Sequence, residues 1–410
     1  MMKKILVVGA GGQGGPCASI LARDEEISEI RLGDINFGLA EKVAAKISSP
    51  KMKPLKLDAG SLEEVIKASE GMDAIINLTL IDFNDTILEA ALASNTHYVD
   101  TACDYSYLKQ MVDGTPLKFN SEFHEIGKTA LMGCGATPGM SNILIRYVCD
   151  QMDEVEKIYL RLGSAAFDEP EDIVGPWNPG WSPEIALLDF AEKPMIFEDG
   201  RYKAVPIFSR HENYRFPEPF GTMLLASHSH EEPYTLPYYI GKGIKEVDFK
   251  YPADLLAGAF VKMGFADDRE IEVKGVKIVP RDVLMQLVPR PANEFLNETE
   301  ATIEKSGDFG WIMEISVDGT REGRSYSHCL TETTILDRQA RLHLYRTFGT
   351  SHIGVALPAV IGAKMCMAGE ADVGVTSSEC LDPTLFFKKM AGMGLPVEFK
   401  ETITRHTRIQ

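Results

Sequence analysis

The chain has 410 residues, too many for one ordinary core, with 44% hydrophobic and 25% charged residues, as in soluble globular proteins. Its formal net charge of −18 argues against a nucleic-acid partner, and no apolar run reaches the ~18 residues of a membrane helix. The seven cysteines are scattered without a C-x-x-C, and the opening residues enter a strand rather than a signal peptide, so a cytoplasmic protein with neither disulfides nor a zinc ribbon is expected.

In chain order, Ile5-Leu6-Val7-Val8 reads as a strand, Gly9-Ala10-Gly11-Gly12-Gln13-Gly14 as a tight turn, and Gly15-Pro16 as the start of a helix. The turn fits G-x-G-x-x-G. Gly9 allows the sharp turn, Gly11 lets a pyrophosphate approach the backbone, and Gly14 lets the helix lie close to the sheet. Gly12 and Gln13 stand at the amino end of that helix, where free N–H groups and the helix dipole favour an anion. Asp34 ends the second strand, Ile30–Asp34, twenty residues after Gly14. An acid there hydrogen-bonds ribose hydroxyls and repels a 2′-phosphate. No Arg or Lys follows in Ile35-Asn36, so NAD is expected ahead of NADP.

Further strands are expected at Pro54–Asp58, Asp73–Thr79, His97–Asp100 and Thr129–Cys134, with helices over Leu39–Ile47, from Ser61, from Asn84 and over Ser121–Lys128. Six strands alternating with helices predict a Rossmann-type, doubly wound parallel sheet. Ligands then lie beyond the strands' carboxyl ends. Asp58 reaches the adenine there or forms a turn. Thr79 touches the nicotinamide half or caps the next loop. After Lys157 the pattern alternates as in an antiparallel strand. A loop rich in Pro, Gly and Trp spans 166–184. A hairpin with an Asp199-Gly200 turn follows, then strands near Phe249, Ile271 and Trp311–Val317, the last ending before Asp318-Gly319. This is an α+β domain with a mostly antiparallel sheet. Helices over Gly354–Ala368 and Leu385–Met390 close the chain.

The glycine turn with Asp34, the segment Tyr98-Val99-Asp100-Thr101, Gly133-Cys134-Gly135 with Pro138-Gly139, Thr235-Leu236-Pro237 and the tail Leu357–Lys364 with Glu379–Pro383 resemble the saccharopine dehydrogenase family, in order along most of the chain. The resemblance implies an NAD(P)-dependent oxidoreductase acting on the C–N bond of an amino acid or related amine by way of an imine. Lysine 6-dehydrogenase-like or saccharopine dehydrogenase-like chemistry is expected first, and carboxynorspermidine synthase-like reductive condensation is the alternative. A nucleotide-binding sensor without turnover is the rival of another class. The resemblance also implies a split nucleotide domain, a central substrate and dimerisation domain, and a homodimer. The expected division is 1–134, 135–350 and 351–410, the last returning to the nucleotide domain. Ala136-Thr137 and Ser141-Asn142 stand where many relatives have an acid before the proline and Asp-His after the glycine.

Oxidising an amine creates a cationic iminium, which calls for a proton acceptor and a nearby anion. Asp100, at a strand end, either supplies that charge or caps a turn, with Asp104 second. Cys134 is a wall or proton relay beside the nicotinamide, or a buried thiol. His228 and His230 lie in the densest titratable cluster, Ser227–Glu232. They share a face if the segment is extended, with His228 read as catalytic and His230 as substrate-binding. Polar surface is the plain alternative, and a metal lacks a clear third ligand, so none is expected. Arg215, between Tyr214 and Phe216, is the choice for a substrate carboxylate, against a surface role. Trp177 and Trp181 cover a methylene chain or staple their loop.

Overall fold

The computed structural model describes residues 2–167, 177–179, 182–289 and 293–407. Its first third runs β1 (Lys3–Val8), α1 (Gly14–Arg23), β2 (Ile27–Asp34), α2 (Phe37–Ile47), β3 (Met52–Lys56), α3 (Leu62–Ser69), β4 (Ala74–Asn77), α4 (Asn84–Ala93), β5 (His97–Asp100), α5 (Tyr105–Asp113), α6 (Asn120–Glu125) and β6 (Thr129–Met132). The six strands lie parallel in the order β6-β5-β4-β1-β2-β3. Their apolar runs are continuous because both faces are covered. Ile5 and Val7 of β1, Ile76 and Val99 face a core shared with α1, whereas Leu6, Val8, Ile75 and Tyr98 face α3, α4 and α5. Successive side chains thus divide between two helical layers.

The remainder runs α7 (Met140–Cys149), β7 (Glu154–Ala166), α8 (Pro183–Ala191), β8 (Met195–Glu198), β9 (Arg201–Ala204), β10 (Glu212–Arg215), β11 (Thr222–Ser227), α9 (Glu232–Ile240), β12 (Glu246–Pro252), α10 (Leu255–Lys262), β13 (Ile271–Val273), β14 (Val276–Ile278) and α11 (Pro280–Leu287). It continues with α12 (Glu294–Asn297), α13 (Glu300–Ile303), β15 (Phe309–Arg321), β16 (Arg324–Leu336), α14 (Arg338–Phe348), α15 (Ala356–Ala368), β17 (Gly374–Ser377), α16 (Pro383–Gly392) and β18 (Phe399–His406). A second sheet has the path β10-β11-β12-β7-β15-β16-β18, with β8 and β9 joined beside β12. It is antiparallel except where β12 meets β7. One of its faces packs Leu160, Ile315 and Leu330 against Leu144 and Val148 of α7.

The tail divides. β17 pairs with β6 as a seventh parallel strand, and α15, buried along most of its length, joins the core beside α1. β18 pairs instead with β16 in the second sheet. The strand expected to stop before Asp318-Gly319 runs on to Arg321. Register shifts at Asp318/Gly319, and a Cβ on Gly319 would lie 2.2 Å from the Glu154 carbonyl oxygen. This glycine serves a close strand approach at a bulge, and the turn falls at Glu322-Gly323. The Asp199-Gly200 hairpin turn forms as expected, both residues having positive φ.

Candidate active site

At the carboxyl end of β1, Gly9 has φ +97° and a Cβ there would meet the Leu78 carbonyl oxygen at 2.8 Å. A Cβ on Gly14 would come within 1.9 Å of the Gly9 oxygen, so the turn closes only with glycine at that position. Gly11 and Gly12 border open surface, with nothing within 4 Å of a built Cβ. The first turn of α1 has no acidic residue and no capping side chain, and the Oε1 of its N-cap residue Gln13 is buried without a partner. Asp34 accepts the Ala10 N–H at 2.8 Å and the Asn36 N–H at 2.8 Å, which ties the second strand end to the glycine turn. Each of its oxygens keeps a lone pair for a further donor. Bare N–H groups, a tight glycine cradle and an adjacent carboxylate fit a dinucleotide pyrophosphate and ribose. Asp58 accepts the Gly60 N–H at 2.9 Å, a turn contact, and Thr79 donates to Asn77 Oδ1 at 2.7 Å.

Asp100, at the end of β5, is 2% exposed. It accepts the Gly133 N–H at 2.7 Å and the Tyr98 hydroxyl at 2.9 Å, with the Asn84 amide at 3.4 Å. Asn77 donates to Tyr98 and Asn84, which completes a buried network. Burial pushes the carboxyl up to about 7, although the Gly133 and Tyr98 hydrogen bonds favour its ionised form. The geometry makes Asp100 the clasp between β5 and the start of the β6 loop. Asp104 caps α5 through the Ser106 N–H. Cys134 is fully buried against α15, its Sγ 3.3 Å from the Pro358 oxygen, and burial pushes the thiol up to about 12. A thiol held there keeps its proton at neutral pH, so the relay expectation gives way to a packing role.

Titratable groups gather where the second domain meets the carboxyl edge of the parallel sheet. His230 bonds Glu232, lies 3.4 Å from Glu231, and stacks on Phe249 with centroids 4.2 Å apart. Burial alone would lower its basicity, but Glu232, Glu231 and Asp189 outweigh it and raise the imidazole to about 9. Glu232 is fully buried. Burial resists its ionisation, yet His230 and hydroxyls donated by Thr137 at 2.6 Å and Ser141 at 2.8 Å hold it below the usual range. Burial raises Glu231, which accepts the Cys103 N–H at 3.3 Å, and pushes Asp189 of α8 up to about 7. Asn142 donates at 3.0 Å to Glu379, another fully buried carboxylate at the end of β17. Thr137, Ser141 and Asn142 thus all donate to these two carboxylates, and Ser377 donates to Glu379 as well.

His228 is buried. Its Nδ1 faces the Ser229 carbonyl at 2.9 Å, so Nδ1 carries the proton and donates. Burial and His230 push it down to about 3, which leaves it neutral among Phe190 and Tyr251. Arg215 is exposed on the edge strand β10, and no Arg or Lys among the described residues forms an ion pair with Asp189, Glu231 or Glu232. Trp177 donates to Asp254 at 2.7 Å and packs edge-on to Phe260, which staples its loop to α10; Trp181 lies outside the described residues. Asp189 carries no motif. Glu231 and Glu232 stood within the titratable cluster, whereas Glu379 stood in the tail with no chemical signal.

Strand order, glycine cradle and strand-end carboxylate define a dinucleotide-binding, Rossmann-type protein. The chain belongs to the saccharopine dehydrogenase family. Residues 5–131 match the family's NADP binding domain and residues 135–395 its C-terminal domain. Over 96% of its length it is 26% identical to carboxyaminopropylagmatine dehydrogenase of Synechocystis sp., covering 97% of that protein. Over 95% it is 24% identical to carboxynorspermidine synthase of Vibrio cholerae, covering 95% of that protein. In fold it is similar to apo saccharopine dehydrogenase (L-Glu forming) from Saccharomyces cerevisiae, with TM-score 0.68, 16% identity and coverage of 98% of this chain and 100% of that one. Homospermidine synthase from Legionella pneumophila in complex with NAD gives TM-score 0.62 and 14% identity, over 98% of this chain and 92% of that one. The protein is therefore an NAD(P)-dependent oxidoreductase acting on the C–N bond of an amino acid or related amine. Among the described residues no helix is long and apolar enough to cross a membrane.

Proposed function

We propose that this enzyme forms or cleaves a secondary amine that carries both a carboxylate and a cationic polyamine-type tail, by reduction of an imine or its reverse. The observation that carries the reading is the charge cluster: Glu231 and Glu232 flank a single charged imidazole, His230, which Asp189 also attracts. Such a surplus of carboxylate favours a cationic amine chain, and the two curated relatives named above, one a carboxyaminopropylagmatine dehydrogenase and one a carboxynorspermidine synthase, support it. On this reading polyamine-type substrates come ahead of lysine or saccharopine. A bound nicotinamide dinucleotide supplies two-electron hydride transfer. The chain's part is to hold the amine, exclude water and move one proton. In this reading Asp189, whose carboxyl burial pushes up to about 7, takes the proton from the amine nitrogen, and the His230–Glu232 pair sets the field around it. Gly9, Gly11, Gly12, Gln13, Gly14 and Asp34 hold the dinucleotide, NAD ahead of NADP, in a cytoplasmic homodimer.

The test is oxidation of a panel with each dinucleotide, followed by absorbance of the reduced nicotinamide. Carboxyaminopropylagmatine and carboxynorspermidine are expected to give kcat/KM at least ~100-fold above lysine and saccharopine. Equal or higher values for lysine would return the assignment to a deaminating dehydrogenase. Tight dinucleotide binding without turnover of any amine would favour the sensor.

A further inference from the structure

β18 is the last strand of the second sheet, and among the described residues nothing pairs with its outer edge. Seven of its eight residues are exposed, including Ile403 at 56%. It contains neither proline nor glycine, and its register with β16 is unbroken from Phe399 to His406. Proteins usually blunt such a long regular edge, because its free N–H and C=O groups recruit another strand.

The sequence of the edge says which strand fits. In antiparallel pairing, residues whose backbone groups point outward must oppose residues that do the same, so a strand pairing with its own copy must centre on a residue. Centred on Ile403, Glu401 meets the partner's Arg405 at one end and Arg405 meets the partner's Glu401 at the other. Thr402 then meets the partner's Thr404, and Lys400 meets the partner's His406. Centring on Glu401 or Arg405 sets like charges face to face, and centring on Thr402 or Thr404 leaves Glu401 and Arg405 without opposite charges. Cross-strand neighbours of opposite charge stabilise a pair, and like charges oppose it.

We infer that two copies of this chain join along β18, antiparallel, with Ile403 on the two-fold axis, so that the second sheets of both protomers become one. The inference rests on the homodimer reading and names the surface that makes it. A two-fold contact uses the same patch on both subunits, as this register requires. Glu401 is also braced by His328 at 2.8 Å, which orients its carboxylate on the strand.

Sedimentation equilibrium of the full chain, with far-UV circular dichroism to check folding, tests it. The unaltered protein is expected to be dimeric. Arg405→Glu places acid opposite acid twice and is expected to raise the dimer dissociation constant at least tenfold, and adding Glu401→Arg to it is expected to restore association. Ile403→Cys supplies an independent reading. Residues directly opposed across a two-fold axis lie within disulfide range, so this variant is expected to give a covalent dimer on mild oxidation. Lys400→Cys is not, because its two copies stand six residues, about 20 Å, apart along the seam. A dimer unaffected by Arg405→Glu, together with no cross-link through Ile403→Cys, overturns the seam and leaves the homodimer standing. A monomer at about 100 μM overturns both.

Discussion

His230 draws its charge from Glu232, Glu231 and Asp189 against the cost of burial, and its value of about 9 stands above the ordinary 6.5. A base raised on folding contributes stability that is fully present below its ordinary value and is lost as pH rises through the folded one. Melting temperature is therefore expected to fall between about pH 7 and pH 9 through this residue, and His230→Gln should flatten that slope. An unchanged slope in differential scanning fluorimetry would remove the ion pair from the account. Asp189 is also raised on folding, by burial, and its effect is read in activity. Burial holds it protonated up to about 7, so amine oxidation that needs its carboxylate should rise with pH through about 7. Asp189→Asn is expected to lower kcat/KM ~10²–10⁴-fold and to abolish that limb. A retained limb assigns the proton to another group. At Asp34, Ser with Arg at position 35 is expected to move the NADP-to-NAD affinity ratio upward by about tenfold or more, roughly 1.4 kcal/mol. An unchanged ratio by calorimetry excludes Asp34 from cofactor choice.

At the scale of elements, the glycine turn and α1 form one mechanical unit. Gly14→Ala puts a Cβ 1.9 Å from the Gly9 oxygen, so the turn must open. Dinucleotide affinity by calorimetry is expected to fall at least ~100-fold while the far-UV spectrum stays native, and wild-type affinity would show that the turn closes another way. The parallel strands were legible because they are short apolar runs bounded by turn residues. Their ends shifted slightly: the strand expected at Pro54–Asp58 forms at Met52–Lys56. The Asp199-Gly200 hairpin was legible from its dipeptide. The Asp318-Gly319 pair, with the same local chemistry, was not a turn, because β7 holds β15 through it with a shifted register. β17 and β18 have no strong strand signal of their own, and each forms by adding to an edge built elsewhere in the chain.

Across the whole molecule, residues 374–377 complete the parallel sheet while residues 399–406 complete the other one, so the tail stitches the two domains. Ending the chain after Leu395 removes β18 and leaves the glycine turn, α15 and β17 in place. Dinucleotide affinity is expected to stay within about twofold, with lower thermal stability, because distant sites with no shared partners add nearly independently. A large loss of affinity would show that the second sheet's far edge supports the cofactor site. The sequence by itself determined the glycine turn after β1 and the doubly wound sheet, since these depend on local spacing and on periodicities that one stretch of chain carries alone, while the chemical class came from the family resemblance spread along the chain. Only the tertiary structure decided that Asp100 is a clasp, that Cys134 is sealed in the core, that Arg215 stands exposed at an edge, and that Asp189, Glu231, Glu232 and His230 form one electrostatic unit. Their protonation is set by burial and by neighbours distant along the chain, which no local pattern encodes.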